Sequence, residues 1–124
     1  MAHQEQATES DLLNRFNDAF NRHDVDAIMS MMSADCLFDN TSPAPDGTLF
    51  RGQANVRHFW EEFFATSEHA HFEVEEMFAY GDRAFQRWVY SWLDKQGVSG
   101  HVRGVDIFRF RDGLIVEKLS YVKG

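Results

Sequence analysis

The run Gly104-Val105-Asp106-Ile107-Phe108-Arg109-Phe110-Arg111-Asp112-Gly113-Leu114-Ile115-Val116-Glu117-Lys118-Leu119 reads as two strands joined by a tight turn. Asp112-Gly113 readily supplies the positive φ angles of a two-residue hairpin. Side chains of a strand alternate between faces, so Gly104, Asp106, Phe108 and Phe110 share one side. A carboxylate sharing a face with two phenylalanines is costly to bury unless it is paired or placed for a function.

Upstream of this hairpin the period of two continues. Phe72, Val74, Glu76, Phe78 and Tyr80 alternate with other residues from His71 onward, and Gly81-Asp82 marks a turn. Ala84 to Leu93 reads as a long strand, Gln96-Gly97 as its hairpin, and Gly100 to Arg111 and Leu114 to Val122 as the last two strands. The first half of the chain is helical. Leu12, Leu13, Phe16, Ala19 and Phe20 follow helical spacing with Thr8 or Ser10 as N-cap, and the break falls at Asn21-Arg22-His23. Asp24 caps a short helix with Val25, Ile28, Met29 and Met32 as its buried stripe. Cys36-Leu37-Phe38 reads as a short strand, followed by a loop with Pro43, Pro45 and Gly47. A third helix carries Val56, Phe59, Trp60, Phe63 and Phe64 on one face. Helices first and long antiparallel strands afterwards predict an α+β fold, a curved sheet wrapped by three helices around an apolar hollow.

The chain has room for one domain, spanning 1–124. Its formal charge of −8 argues against a nucleic-acid partner and against docking on an anionic membrane. Cys36 is the single cysteine, so no intrachain disulfide is expected. The first residues lack the basic start and apolar run of a signal peptide, and no segment has the length of a membrane span. The expectation is a soluble, cytoplasmic domain. With no Gly-rich phosphate loop and no serine elbow, no cofactor is expected. His69-Ala70-His71 offers two imidazoles on one face, but no third ligand follows at a recognisable spacing, so no metal site is expected either.

Several segments together resemble the nuclear transport factor two-like superfamily, in its SnoaL-like and ketosteroid-isomerase-like branch. They are Phe16-Asn17-Asp18-Ala19-Phe20-Asn21-Arg22-His23-Asp24, Ser33-Ala34-Asp35-Cys36-Leu37-Phe38-Asp39, Phe50-Arg51-Gly52 and Asp106-Ile107-Phe108-Arg109-Phe110. The resemblance implies a cone of curved sheet and helices with a ligand cavity, usually dimeric. It implies no single activity, since the fold hosts isomerases, cyclases, dehydratases, hydrolases and binding modules. Ketosteroid isomerase uses a base Asp, a Tyr and a protonated Asp. By resemblance the protonated Asp matches Asp106, the Tyr position falls on Phe16, and the base position falls on Asn40, with Asp39 one residue away. Either of the two could face inward, since a register change of one residue exchanges them. The Arg-x-Asp of limonene-epoxide-hydrolase relatives is met by Arg87-Trp88-Val89, which supplies only the Arg.

Alternation counted from this resemblance turns Phe85, Arg87, Val89 and Ser91 toward the cavity, together with Val116, Lys118, Ser120 and Val122. Asp106 would then be an acid/base group flanked by the cations Arg87 and Lys118, with Asp39 and Asn40 at the mouth. The competing reading is an internal ion pair that only satisfies buried charge. Desolvation favours the protonated acid, whereas a close Arg87 or Lys118 favours the carboxylate. Phe16, Trp60 and Phe108 are the expected apolar walls. Trp88, Tyr90 and Trp92 fall on the opposite parity, where a large apolar stripe predicts a homodimer packed through the sheet face. If the parity is reversed, these aromatics line the cavity and Arg87 points out. The expected function is cofactor-independent proton-transfer chemistry, of isomerase, cyclase or dehydratase type, on a small apolar or enolising molecule. The alternative is a non-catalytic ligand-binding or scaffold homodimer of the same fold.

Overall fold

A computed structural model of the chain describes residues 2–67 and 69–123. The helix α1 (Ala2–Asn21) is followed by α2 (Val25–Ser30), the strands β1 (Met32–Asp39) and β2 (Leu49–Arg51), and α3 (Gly52–Thr66). Four long strands complete the chain, namely β3 (His71–Tyr80), β4 (Arg83–Leu93), β5 (Ser99–Arg111) and β6 (Leu114–Val122). The fold is α+β, as the order of periodicities predicts. Among the described residues no helix is long and apolar enough to cross a membrane.

Local chemistry explains most element boundaries. Asp24 caps α2 by accepting a hydrogen bond from the Ala27 backbone N–H at 3.0 Å. That helix ends at Ser30, and Met32 belongs to β1, where it pairs with Ile115 rather than extending the helical stripe. Ser10 sits inside α1 rather than at its start, and the side chain of Thr8 lies outside the described residues. At the β5–β6 turn Asp112 and Gly113 have φ of 54° and 75°, the left-handed pair that a tight hairpin needs.

Strands β3 to β6 form an antiparallel meander, and β1 adds to β6 in parallel, giving the order β2-β1-β6-β5-β4-β3. The curved sheet is therefore mixed, whereas the sequence predicts it wholly antiparallel. Strands β1 and β6 come from opposite ends of the chain, so no hairpin signal announces their pairing.

The helices cover one face of the sheet. Phe16 of α1 meets Phe108 of β5 and Trp60 of α3 edge-on, with ring centroids 6.2 and 6.3 Å apart. On β4 the residues beneath the helices are Ala84, Gln86 and Trp88, all buried, while Phe85 and Arg87 are exposed. This reverses the expected parity of the strand. Arg87, with Phe85, Val89 and Ser91, belongs to the outer face, where it pairs with Glu75 and Glu76. The physical reason lies on the neighbouring strand. Trp88 is opposite Gly104 and Trp92 is opposite Gly100, so each indole packs over a residue without a side chain. A Cβ on Gly104 would sit 2.5 Å from the Trp88 ring and would overlap the Tyr121 carbonyl oxygen. Gly104→Ala should therefore cost about 1–3 kcal/mol through overpacking, read from urea unfolding. An unchanged midpoint would mean that the Trp88 ring is free to move aside.

Cys36 is fully buried in β1, and burial raises its thiol pKa. It should resist thiol reagents in the folded protein and react completely in denaturant; rapid native labelling would contradict this packing.

Candidate functional site

Three strands place one transverse row of polar side chains beneath the helices. Gln86 on β4 pairs with Asp106 on β5, which pairs with Ser120 on β6. Asp106 and Gln86 are fully buried, and Ser120 nearly so. Ser120 donates its hydroxyl to Asp106 Oδ1 at 2.7 Å, and Gln86 Nε2 donates to Asp106 Oδ2 at 3.4 Å. Gln86 is held in turn by Asn17 of α1, with which it exchanges hydrogen bonds of 2.9 and 3.1 Å.

Lys118 completes the cluster. It is two residues from Ser120 on the same strand, so its side chain shares the inner face. Its Nζ donates to Ser120 Oγ at 2.9 Å and lies 3.5 Å from Asp106 Oδ1. The remaining surroundings are aromatic, for Nζ stands 4.4 Å above the Phe38 ring and 5.8 Å from that of Trp60. Burial lowers the Lys118 pKa from its ordinary value, and the Asp106 carboxylate partly offsets that shift.

Asp106, Lys118 and Ser120 form the polar end of a pocket of about 120 Å³. Its walls are aromatic, with Phe38, Phe59, Trp60, Phe63, Trp88 and Tyr90 among them, and Asn40 and Thr41 come from the loop after β1. The indole Nε1 atoms of Trp60 and Trp88 are both buried, and neither has a hydrogen-bond partner among the described residues. Unsatisfied buried donors of this kind are uncommon, each costing about 1–3 kcal/mol. Burial also raises the Tyr90 hydroxyl pKa.

The expected site residues divide by position. Asp106, Lys118, Ser120, Trp60 and Asn40 line the pocket together. Asp39 does not, because Phe38 points inward and alternation turns its neighbour out, beside Leu119 on β6. Phe16 and Phe108 are buried in the core, packed against each other instead of lining the pocket. Val122 is 41% exposed at the strand end. Arg87 is outside, so Lys118 is the cation beside Asp106. Trp88 and Tyr90 are pocket walls and cannot form an outer stripe; Trp92, over Gly100, shares their inward parity. Gln86 and Asn17 were not foreseen, since a neutral amide in a strand or helix carries no charge signal. His69 and His71 are exposed, and no group of three or more metal-ligating side chains occurs among the described residues.

A model of the SnoaL-like domain matches residues 13–118. The chain belongs to the SnoaL-like family. An NTF2-like protein of unknown function from Mesorhizobium loti is 39% identical to this SnoaL-like chain, with a TM-score of 0.80 over 96% of this chain and 93% of that one. TerC, co-crystallised with polyporic acid, superposes with a TM-score of 0.81 at 16% identity, covering 94% of this chain and 92% of its own. A putative polyketide cyclase from Xanthomonas campestris pv. campestris gives 0.79 at 21% identity, covering 95% and 92%. At such identities the last two establish a shared fold and nothing more. No curated protein matches the chain. The SnoaL-like match ends at Lys118, so it takes in Asp106 and Lys118 but not Ser120.

Proposed function

We propose that the chain is a cofactor-independent enzyme that moves protons on a small, mostly apolar molecule, with Asp106 as the acid/base group. The observation carrying this reading is a fully buried carboxylate at the polar end of an aromatic pocket, hydrogen-bonded to Ser120 and beside the buried cation Lys118. The pocket volume is close to that of apolar cavities that hold one benzene-sized ring. A ring would lie between Phe38, Trp60 and Tyr90, with a carbonyl or hydroxyl oxygen turned toward Lys118 and Ser120. The unpartnered indole N–H groups of Trp60 and Trp88 supply two further donors for ligand oxygens.

In that pose Asp106 removes or returns a proton at a carbon next to the carbonyl. Lys118 and Ser120 stabilise the oxygen on which negative charge develops, which is the general logic of enolisation in a dry site. The related TerC crystallises with polyporic acid, and a further relative is a putative polyketide cyclase; both fit an aromatic or polyketide-like ligand class. The test is solvent-deuterium exchange at the methyl group of methyl phenyl ketone, followed by proton NMR. Exchange faster than in buffer, saturating with ketone, is expected; the buffer rate would contradict the enzymatic reading.

A second reading is a non-catalytic ligand-binding module. It is favoured by the saturation of Asp106, both of whose oxygens accept hydrogen bonds already. Under that reading the ketone binds without exchange.

We also propose a homodimer through the outer sheet face. A transverse row, Phe78, Phe85, Ile107 and Leu119, crosses β3 to β6 there, with Phe78 56% and Phe85 39% exposed. Tyr121 extends the apolar area. Ile107→Glu should yield monomers in sedimentation, and a dimer that survives it would place the interface elsewhere.

A further inference from the structure

Lys118 is one of three lysines, and it differs from Lys95 and Lys123 in burial and surroundings. Those two are exposed, whereas Lys118 is buried, stands over the Phe38 and Trp60 rings, and borders the pocket. The ionisable groups that share this pocket with it are Asp106 and Tyr90. An amine held against aromatic walls beside a proton acceptor is the arrangement that makes lysine a nucleophile.

We infer that Lys118 takes aldehyde or ketone ligands covalently, as a Schiff base, with Asp106 as counter-ion and proton carrier. The inference rests on the pocket reading above and deepens it by naming carbonyl compounds as the ligand class. Burial, which lowers the lysine pKa, raises the fraction of neutral amine available to attack.

The step balances within the pair. Asp106 accepts one proton from the Lys118 ammonium, directly or through Ser120, which hydrogen-bonds to both. The freed Nζ lone pair bonds to the carbonyl carbon while the C=O π pair moves to oxygen. A second nitrogen proton and the one held on Asp106 pass to that oxygen, which leaves as water as the C=N bond forms. Of the three ammonium protons two end in water and one on the iminium nitrogen. The charge is unchanged, so Asp106 neutralises the iminium as it neutralised the ammonium. The iminium then withdraws electrons from the adjacent carbon more strongly than the parent carbonyl, which eases the proton removal proposed above.

The test uses benzaldehyde, which has a carbonyl but no exchangeable adjacent hydrogen, so trapping does not depend on the proton-transfer role of Asp106. The wild-type protein is treated near neutral pH with benzaldehyde and cyanoborohydride, which delivers hydride to the iminium carbon and fixes a benzylamine. Digestion and mass spectrometry then locate the label. Labelling of Lys118 is expected to exceed that of Lys95 and Lys123 several-fold, and the preference should vanish when the protein is denatured first. In a parallel titration, benzyl alcohol, which cannot form an imine, is followed through the indole N–H signals of Trp60 and Trp88. If the alcohol shifts those signals but Lys118 stays unlabelled, the covalent role is overturned and the pocket reading stands. If the signals do not move and Lys118 stays unlabelled, both are overturned. Lys118→Arg, which keeps the charge and removes the nucleophile, should lose the preferred label, whereas Lys95→Arg, at an exposed position outside the pocket, should leave the Lys118 label intact.

Discussion

Asp106→Leu is expected to lower the unfolding free energy by about 3–5 kcal/mol, the usual cost of leaving one member of a buried ion pair alone. Asp106 is wholly inaccessible and the Lys118 side chain is 9% exposed, so little of either charge is hydrated in the folded protein. Against a typical total of about 5–15 kcal/mol for a domain, this is a large share. The double variant Asp106→Leu with Lys118→Met should recover most of the loss, since a packed apolar pair costs little where an ion pair stood. Urea unfolding of the three proteins measures the coupling directly. A double variant no more stable than Asp106→Leu would mean that the two charges act independently.

The pH dependence has a definite sign. The folded-state pKa of Lys118 lies below its ordinary 10.5 because burial disfavours the ammonium. Between that lowered value and 10.5 the unfolded chain holds more protons at this site than the folded one, so stability from this group rises with pH. It is fully present above the unfolded value and lost as pH falls through the folded one. Asp106→Leu removes the carboxylate that opposes the shift, so the window should extend to lower pH and the stability deficit should shrink as pH approaches 10.5. A deficit that stays constant over this range would contradict the assignment.

The second large effect concerns activity. Asp106→Asn is nearly isosteric, and its amide oxygen still accepts from Ser120 and Lys118, so the fold should persist by circular dichroism. It cannot take a proton from carbon. Loss of a general acid/base group lowers such rates by roughly 10²- to 10⁴-fold, and the ketone exchange rate should fall accordingly. Ketone affinity should change far less, because the aromatic walls are untouched. An exchange rate unaffected by Asp106→Asn would remove Asp106 from the chemistry and leave Lys118 as the remaining candidate base.

The turn was legible because its information is local, Asp112-Gly113 supplying both left-handed residues. That Lys118 and Ser120 share a face with Asp106 came from the resemblance, since the register shift between Arg109 and Phe110 moves the pairing by one residue from what alternation counted from the turn would give. The short strand was legible only as Cys36-Leu37-Phe38, with Asp39 and Asn40 both open; the structure settles the choice by burying Phe38, which turns Asn40 inward and Asp39 out. The parity of β4 was not legible. Both of its faces carry large apolar side chains, Phe85 and Val89 on one and Trp88, Tyr90 and Trp92 on the other. What decides between them is non-local, namely that Gly100 and Gly104 on β5 open space for indoles on the inner face alone. Arg87 was misplaced for the same reason. The parallel β1–β6 pairing and the Asn17–Gln86 clamp join residues far apart in the chain, which no local periodicity encodes.

The aromatic pocket beside Asp106 is the proposed seat of the small molecule. The chain has three tryptophans, of which Trp60 and Trp88 line that pocket and Trp92 does not. Nitrogen–proton correlation NMR during a titration with methyl phenyl ketone therefore reads the site with an internal control. The expected result is saturable movement of the Trp60 and Trp88 indole signals with Trp92 unchanged. Movement of Trp92 alone, or of none of the three, would contradict the account.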